Sequence, residues 1–203
     1  MEPVTLVGRV VRLEPLRIDH AVGLLAVADA EIYRFNGTRP LEISEAGVRE
    51  YVERVIERIP LPFAVIRDEQ PIGVTCFFSV SERDRRIEIG GTWYGLAHWG
   101  SVVNPECKYL LMGYAFEEWG ANRVEYHADL RNTRSRRAIE KLGAVQEGVL
   151  RHYNVMPDGF VRDVVVFGIV KAEWPVIKAG LEARLASFIS PAGATDDATS
   201  ASE

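Results

Sequence analysis

The sequence predicts a single mixed α/β domain, on three observations. Its 203 residues suit one domain of about 100–200 residues, and no repeat, low-complexity run or internal linker divides them. Apolar residues recur at helical 3–4 spacing over 48–59 and 107–115. Between and after those stretches come short apolar or alternating runs, at 63–66, 72–80, 86–94 and 124–128, that read as strands.

The elements follow in order. Residues 4–16 alternate in part and contain Gly8 and Pro15, which reads as a first strand or a bent hairpin. Asp19 suits the N-cap of a helix over 21–28, with Val22, Leu25 and Ala26 on one face. The turn signal Asn36-Gly37 follows Tyr33, Arg34 and Phe35. Ser44 is a good N-cap for a helix to about Arg58, whose stripe is Val48, Tyr51, Val52, Val55, Ile56 and Ile59; Pro60 and Pro62 end it. Strands are expected over 63–66, 72–80 and 86–94. Gly90 and Gly91 inside the third suggest a β-bulge or a close backbone approach. A loop from Gly95 leads to a helix with Asn104 as N-cap and Pro105 at the first helical position. That helix should reach Trp119, with Cys107, Leu110, Leu111, Tyr114 and Ala115 on one face. Val124, Tyr126 and Ala128 then alternate with Glu125, His127 and Asp129 as a strand, and a short helix over 135–142 ends at Gly143. Strands over 145–155 and 162–170 flank a turn at Pro157, Asp158 and Gly159, and a last helix covers 174–189. The domain is thus expected over 1–189, with 190–203 a small, polar, disordered tail.

Composition removes several function classes. Hydrophobic residues at 47% and charged residues at 26% are ordinary for a globular protein. A formal charge of -5 gives no global basic field to recruit nucleic acid by counterion release. No apolar run reaches the ~18 residues of a membrane span, and no basic stretch and apolar core mark a secretory signal, which points to the cytoplasm. Cys76 and Cys107 sit in apolar segments without a C-x-x-C and read as small buried hydrophobes. The four histidines share no ligand-like spacing, so no metal site is expected. A Gly-x-Ser-x-Gly elbow and a Gly-Lys-Ser/Thr phosphate loop are both missing.

The informative unit is strand, loop, helix, strand, helix over 87–143. The loop after Tyr94 feeds a helix N-terminus, where unpaired N–H groups and the helix dipole favour an anion such as a pyrophosphate. The stretches EIGGTWY at 88–94, WGSVVNPECK at 99–108 and DLRNTRSRRAIEKLGA at 129–144 carry the strongest pattern. EGVLR at 147–151, PDG at 157–159 with Arg162 and Asp163, LEPL at 13–16 and FAV at 63–65 accompany them in order. Together they resemble the RimJ/RimL-type N-acetyltransferases of the GNAT superfamily, over roughly residues 6–174.

The resemblance implies a GNAT-type domain: a strongly bent, mostly antiparallel sheet of six or seven strands flanked by helices. It implies transfer of the acetyl group of acetyl-CoA to a primary amine by direct attack, most like the enzymes that acetylate a protein N-terminal α-amine. Acetylation of a small amine (an amino acid, a polyamine or an antibiotic) stays open, as does a coenzyme A-binding module without catalysis; a homodimer is left open too. In the family the bulged strand splays from its neighbour and the pantetheine arm lies in the V. Carried over, Trp93, Tyr94, Trp99, Gly100, Ser101, Val102, Val103, Asn104, Asn132, Ser135 and Arg137 are the expected cofactor residues. Ser135 is also expected near the cofactor sulfur. Glu88 is the first candidate for general base, Glu106 the second and His127 a weaker third. Tyr33, Phe35 and Tyr153, in the segments 31–39 and 151–159, are the expected acceptor contacts. Two departures stand out. Trp99, Val102 and Asn104 occupy the places of Gln/Arg, Gly and Gly/Ala in the general signature, and a β-branched Val102 disfavours positive φ, so the loop is expected to take a different path. Ile139 stands where many relatives carry a tyrosine acid.

Overall fold

A computed structural model describes residues 2–189. The expected tail at 190–203 lies outside the described residues. Eight strands form one sheet: β1 (Leu6–Val7), β2 (Arg12–Pro15), β3 (Leu61–Arg67), β4 (Gln70–Ser81), β5 (Arg86–Tyr94), β6 (Arg123–Asp129), β7 (Val145–Val155) and β8 (Val161–Val170). Their order is β1-β2-β3-β4-β5-β6-β8-β7. Only β5 and β6 are parallel; every other neighbouring pair is antiparallel.

The expected six or seven strands become eight because the front segment folds as a true hairpin. Its turn is held from a distance. Glu106 is 3% exposed, and its carboxylate accepts the N–H groups of Arg9 at 2.9 Å, Val10 at 2.8 Å and Val11 at 2.7 Å. A Cβ on Gly8 would lie 2.7 Å from that carboxyl carbon, so the turn needs glycine there. Glu106, the second candidate base, is therefore a structural anchor about a hundred residues from the turn it caps.

Helices cover both faces. On one side α1 (Ala21–Ala26), α2 (Ala30–Tyr33) and α3 (Glu45–Arg58) bury Leu24, Ile32, Val48, Tyr51, Val52 and Val55 against β3, β4 and Trp93. The Ser44 hydroxyl caps α3 by accepting the Gly47 N–H at 3.2 Å. Ile59, before Pro60, is already extended at φ -107 and ψ 129, as a residue preceding proline prefers. On the other side α4 (Val103–Gly113), α5 (Thr133–Glu140) and α6 (Trp174–Ile189) pack Cys107, Leu111, Met112, Ile139, Trp174 and Leu181 on Ile87, Ile89, Val124, Tyr126 and Phe167. Cys76 and Cys107 are free and buried, as expected. Among the described residues no helix is long and apolar enough to cross a membrane.

Helix boundaries differ from expectation at two places. A single 3-10 turn, Ile18–His20, precedes α1, with Arg17 rather than Asp19 at its N-cap. That turn shifts the helical phase, so Ala21 and Leu24 face inward and Val22 is 71% exposed. Meanwhile α4 begins at Val103 with Val102 as N-cap, earlier than the expected Asn104. Pro105 still falls in the first turn, where a missing N–H costs nothing. The helix closes in a π turn over Tyr114–Glu118.

Replacing Glu106 by alanine leaves three N–H groups unpaired, that of Val11 buried and the other two partly so, so Glu106→Ala is expected to lower unfolding free energy by about 2–4 kcal/mol. Denaturant titration measures it. Full stability with lost activity would return Glu106 to the list of candidate bases.

Candidate active site

The site is where β5 and β6, the only parallel strand pair among the described residues, come apart. β5 and β6 are in register over Arg86–Arg123, Ile87–Val124 and Glu88–Glu125, and not beyond. On the opposite edge of β5, Gly91 and Thr92 both face Thr75 of β4, a β-bulge signalled by the register shift between Val74 and Cys76. Gly91 takes φ +59 there, which glycine adopts without strain. The expected bulge is present, and it turns β5 away from β6. A cavity of about 570 Å³ fills the resulting V.

One wall belongs to the α4 and α5 side. Tyr94, Trp99, Gly100, Asn104, Asn132 and Ser135 line it. The Tyr94 hydroxyl donates to Asn104 Oδ1 at 3.3 Å, and the Trp99 indole N–H donates to the Tyr94 carbonyl at 3.1 Å. Arg134 lies over the Trp99 ring, its guanidinium carbon 3.0 Å from the centroid. Asn132 is the N-cap of α5, its Oδ1 accepting the Ser135 backbone N–H at 3.0 Å, and its side chain still borders the cavity. Trp93 also reaches the cavity, with its indole N–H tied to the Tyr51 hydroxyl at 2.8 Å.

Four of the expected cofactor residues lie outside the lining: Ser101, Val102, Val103 and Arg137. Val103 is fully buried in the core. Ser101 spends its hydroxyl within the loop, donating to the His98 carbonyl at 2.7 Å and accepting the Val103 N–H at 3.3 Å. Val102 adopts helical φ -63, while Gly100 carries the loop's positive φ of 73. The valine is unstrained in this loop. Arg137 is exposed, because the cavity face of α5 carries Arg134, Ser135, Ala138 and Ile139 instead.

The other wall belongs to the α1–α3 side. Glu88, the last residue of β5 paired with β6, accepts a hydrogen bond from the Ser79 hydroxyl at 3.1 Å. His127 of β6 places Nδ1 3.5 Å from Glu88 Oε1 and Nε2 3.9 Å from Glu125 Oε2. Both side chains are about 15% exposed. Tyr153 meets the His127 ring edge-on, centroids 5.8 Å apart. Phe35 and Tyr153 line the cavity, but Tyr33 does not. Tyr33 is 3% exposed and packs edge-on against Trp93 at 5.2 Å, so its ring belongs to the core.

Sequence reasoning missed two residues of the floor. Lys108 is 5% exposed. Its Nζ donates to Thr92 Oγ1 at 2.8 Å, and that hydroxyl shares a 2.8 Å bond with Thr75. Burial pushes the Lys108 ammonium down to about 8. Beside it the Tyr126 hydroxyl is sealed from solvent with no protein partner, and Tyr126 lines the cavity. A lysine inside an apolar helical stripe, one turn after Asn104, was the available signal.

The wall on the α4 side suits a long, polar, amide-containing ligand. It offers an unpaired strand edge, an ammonium and a helix start in one cleft. The family of acetyltransferase (GNAT) domains matches residues 11–145, and the chain belongs to it. It is an acetyl-CoA-dependent N-acetyltransferase. A protein of T. thermophilus, provisionally named an acetyltransferase, is 40% identical, covers 91% of this chain and 98% of its own, and superposes with a TM-score of 0.87. The uncharacterized N-acetyltransferase p20 of Bacillus licheniformis is 28% identical over 72% of this chain and 84% of its own length. RimJ of Mycobacterium smegmatis, solved in complex with CoA-disulfide, shares the fold at 21% identity and a TM-score of 0.77, over 91% of this chain and 97% of that one.

The Lys108 ammonium carries a checkable consequence. Its folded pKa of about 8 lies below its ordinary 10.5, so between those values the unfolded chain holds a proton that the folded chain does not. Stability contributed at this position therefore rises with pH across that window. Lys108→Met is expected to melt higher than the native chain at pH 7. The gap should narrow by up to about 3 kcal/mol on going to pH 10.5. Thermal unfolding of both chains at several pH values measures it, and a pH-independent gap contradicts a buried ammonium.

Proposed function

We propose that the chain acetylates a peptide or protein N-terminal α-amine, with Glu88 as the proton acceptor. The observation that carries this reading is the Glu88–His127 pair, set at the vertex of the V on the face opposite α4 and α5. Acetyl-CoA supplies the activated acyl thioester. Trp99, Gly100 and Asn104 at the start of α4 would hold its phosphates. The free edge of β5 from Ile89 onward would pair with its amide arm. Asn132 orders the first turn of α5 and so fixes Ser135, whose hydroxyl is the donor available to the departing sulfur on that wall. The amine approaches past Phe35 and Tyr153. It must be neutral to attack, and the Glu88 carboxylate takes its proton, with His127 beside it to relay or share the charge. An α-amine near pKa 7.7–8.0 gives up that proton far more readily than a lysine side chain near 10.4. This favours the N-terminal acceptor in a site where Ile139 replaces the usual tyrosine.

Three measurements test this. Calorimetry should show coenzyme A binding; none at millimolar concentration removes the cofactor placement. Glu88→Gln should lower kcat by roughly 10²–10⁴-fold at neutral pH with coenzyme A affinity kept, and Ser135→Ala should slow turnover about tenfold with a smaller effect on binding. Unaltered kinetics in both would make them structural residues. Mass spectrometry of peptides bearing both amine types should find acetyl groups on the α-amine; modification mainly at lysine Nζ, or only of small free amines, overturns the acceptor.

A further inference from the structure

The rim of the acceptor wall holds a cation without an anion. Arg162 is the second residue of β8. The regular β6–β8 register pairs Asp129 with Val164 and His127 with Val166. Strand alternation then puts Arg162 on the same face as Asp129, His127 and Glu88, and it lines the same cavity. Its Nε donates to Asn154 Oδ1 at 2.6 Å and its Nη1 to the Phe35 carbonyl at 3.3 Å. Both acceptors are neutral. Among the described residues Arg162 has no ion pair, and Nη2 has no protein hydrogen bond. Nη2 is also not among the polar atoms sealed without a partner, so it keeps accessible surface on a residue that lines the cavity.

The carboxylates nearby are already engaged. Asp129 is held by Arg131 through Nε at 2.9 Å and Nη2 at 2.8 Å, and Arg131 is itself stacked 3.6 Å from the centroid of Phe160. Glu88 is held by Ser79 and His127. Both are close enough to favour the charged guanidinium, yet partial burial still works against it. A guanidinium stays protonated under such conditions. A half-desolvated one, fixed by two neutral acceptors with a donor to spare, is a poor use of charge in the empty protein. It is well suited to a ligand that brings its own carboxylate.

We propose that Arg162 is a specificity-determining residue of the acceptor site, and that the acceptor carries a carboxylate a few bonds from the amine that is acetylated. This rests on the acetyl-transfer reading of the cavity and narrows its substrate class. Glu88 and His127 take the amine, and Arg162 takes the carboxylate. The two groups together set the acceptor's orientation before transfer. The carboxylate has two chemical sources: the α-carboxylate of a free amino acid, or an acidic side chain at the first or second position of a peptide.

The test uses the full chain with saturating acetyl-CoA and matched acceptor pairs differing only in that group. One arm compares free amino acids with their carboxamides. The other compares peptides carrying Glu or Asp at position one or two with the Gln or Asn versions. In the native protein the carboxylate member of at least one arm is expected to lead in kcat/KM by about ten- to hundredfold, and the arm that shows it names the source. Arg162→Gln should bring that ratio close to one, while Arg162→Lys should keep part of it. If the Gln variant folds poorly, the native ratio and the Lys variant still decide. Equal turnover of both members by the native chain overturns the role of Arg162 and leaves acetyl transfer standing. Coenzyme A binding without turnover of any acceptor overturns the transfer reading and this inference with it. A preference that survives Arg162→Gln overturns the assignment to Arg162 alone.

Discussion

Three residue pairs hold β5 to β6, and after Glu88 and Glu125 the strands separate. A parallel ladder that stops in mid-sheet leaves backbone N–H and C=O groups facing open space, which a protein interior does not tolerate without a partner. The bulge at Gly91 and Thr92 is what forces the separation. Two residues of β5 oppose one of β4, so β5 bends and twists more sharply than β6 can follow. The bend survives because Gly91 supplies φ +59 and because β4 stays paired to β3 opposite the bulge, with Phe63 on Thr75 and Ala64 on Val74. A deletion at 91 would remove the extra residue and leave Gly90 opposite Cys76 and Trp93 opposite Val74 in an unbulged ladder.

The V also divides the chemistry. Strand alternation sends Ile87, Ile89, Val124 and Tyr126 to the α4–α6 face and leaves Glu88 and His127 on the α1–α3 face. A ligand lying against α4 and α5 and a ligand lying under α1–α3 therefore meet only where the sheet is open. The polar groups follow that division. Lys108, Tyr126 and Ser135 border the cavity from one side, and Glu88, His127 and Arg162 from the other. With Lys108 donating to Thr92, the bulge is fixed from beneath by a charge that burial makes weak. A group so placed stiffens the strand at its bulge.

Local features were legible in the sequence, and distant ones were not. Gly90 and Gly91 announced the bulge, Ser44 announced the α3 cap, and the period of 48–59 announced its buried face, because each depends on a few neighbouring residues. Glu106 looked like a site carboxylate beside the loop. Its partners, Arg9 to Val11, are fixed only by tertiary folding. Tyr33 and Phe35 were indistinguishable as aromatic neighbours until α2 set their phase, sending one ring to Trp93 and the other to the cavity. Arg137 and Arg134 differ by three positions on a short helix, and only the docking of α5 decides which one borders the cavity. Lys108 was hidden by the habit of expecting lysine on the surface.

The loop over 99–104 follows the same logic of substitution. A glycine-rich signature lets backbone N–H groups approach a phosphate because nothing projects between them. At 102 the geometry does not ask for a glycine, since the positive φ of this loop lies at Gly100 and Val102 begins a helix. What is missing in backbone access is balanced by side chains that fix the loop. Trp99 is pinned to the Tyr94 carbonyl, Asn104 receives the Tyr94 hydroxyl, and Arg134 crosses from α5 to lie on the Trp99 ring. The aromatic at 99 occupies the place of a Gln or Arg that would itself have offered donors. Arg134 restores a cation at that corner from a different element. A guanidinium stacked on indole keeps its in-plane donors free, and here the stack holds the loop against α5. The departures from the family signature are thus coupled: Trp99 in place of a polar residue makes sense with Arg134 above it, and Val102 in place of glycine makes sense with Gly100 before it.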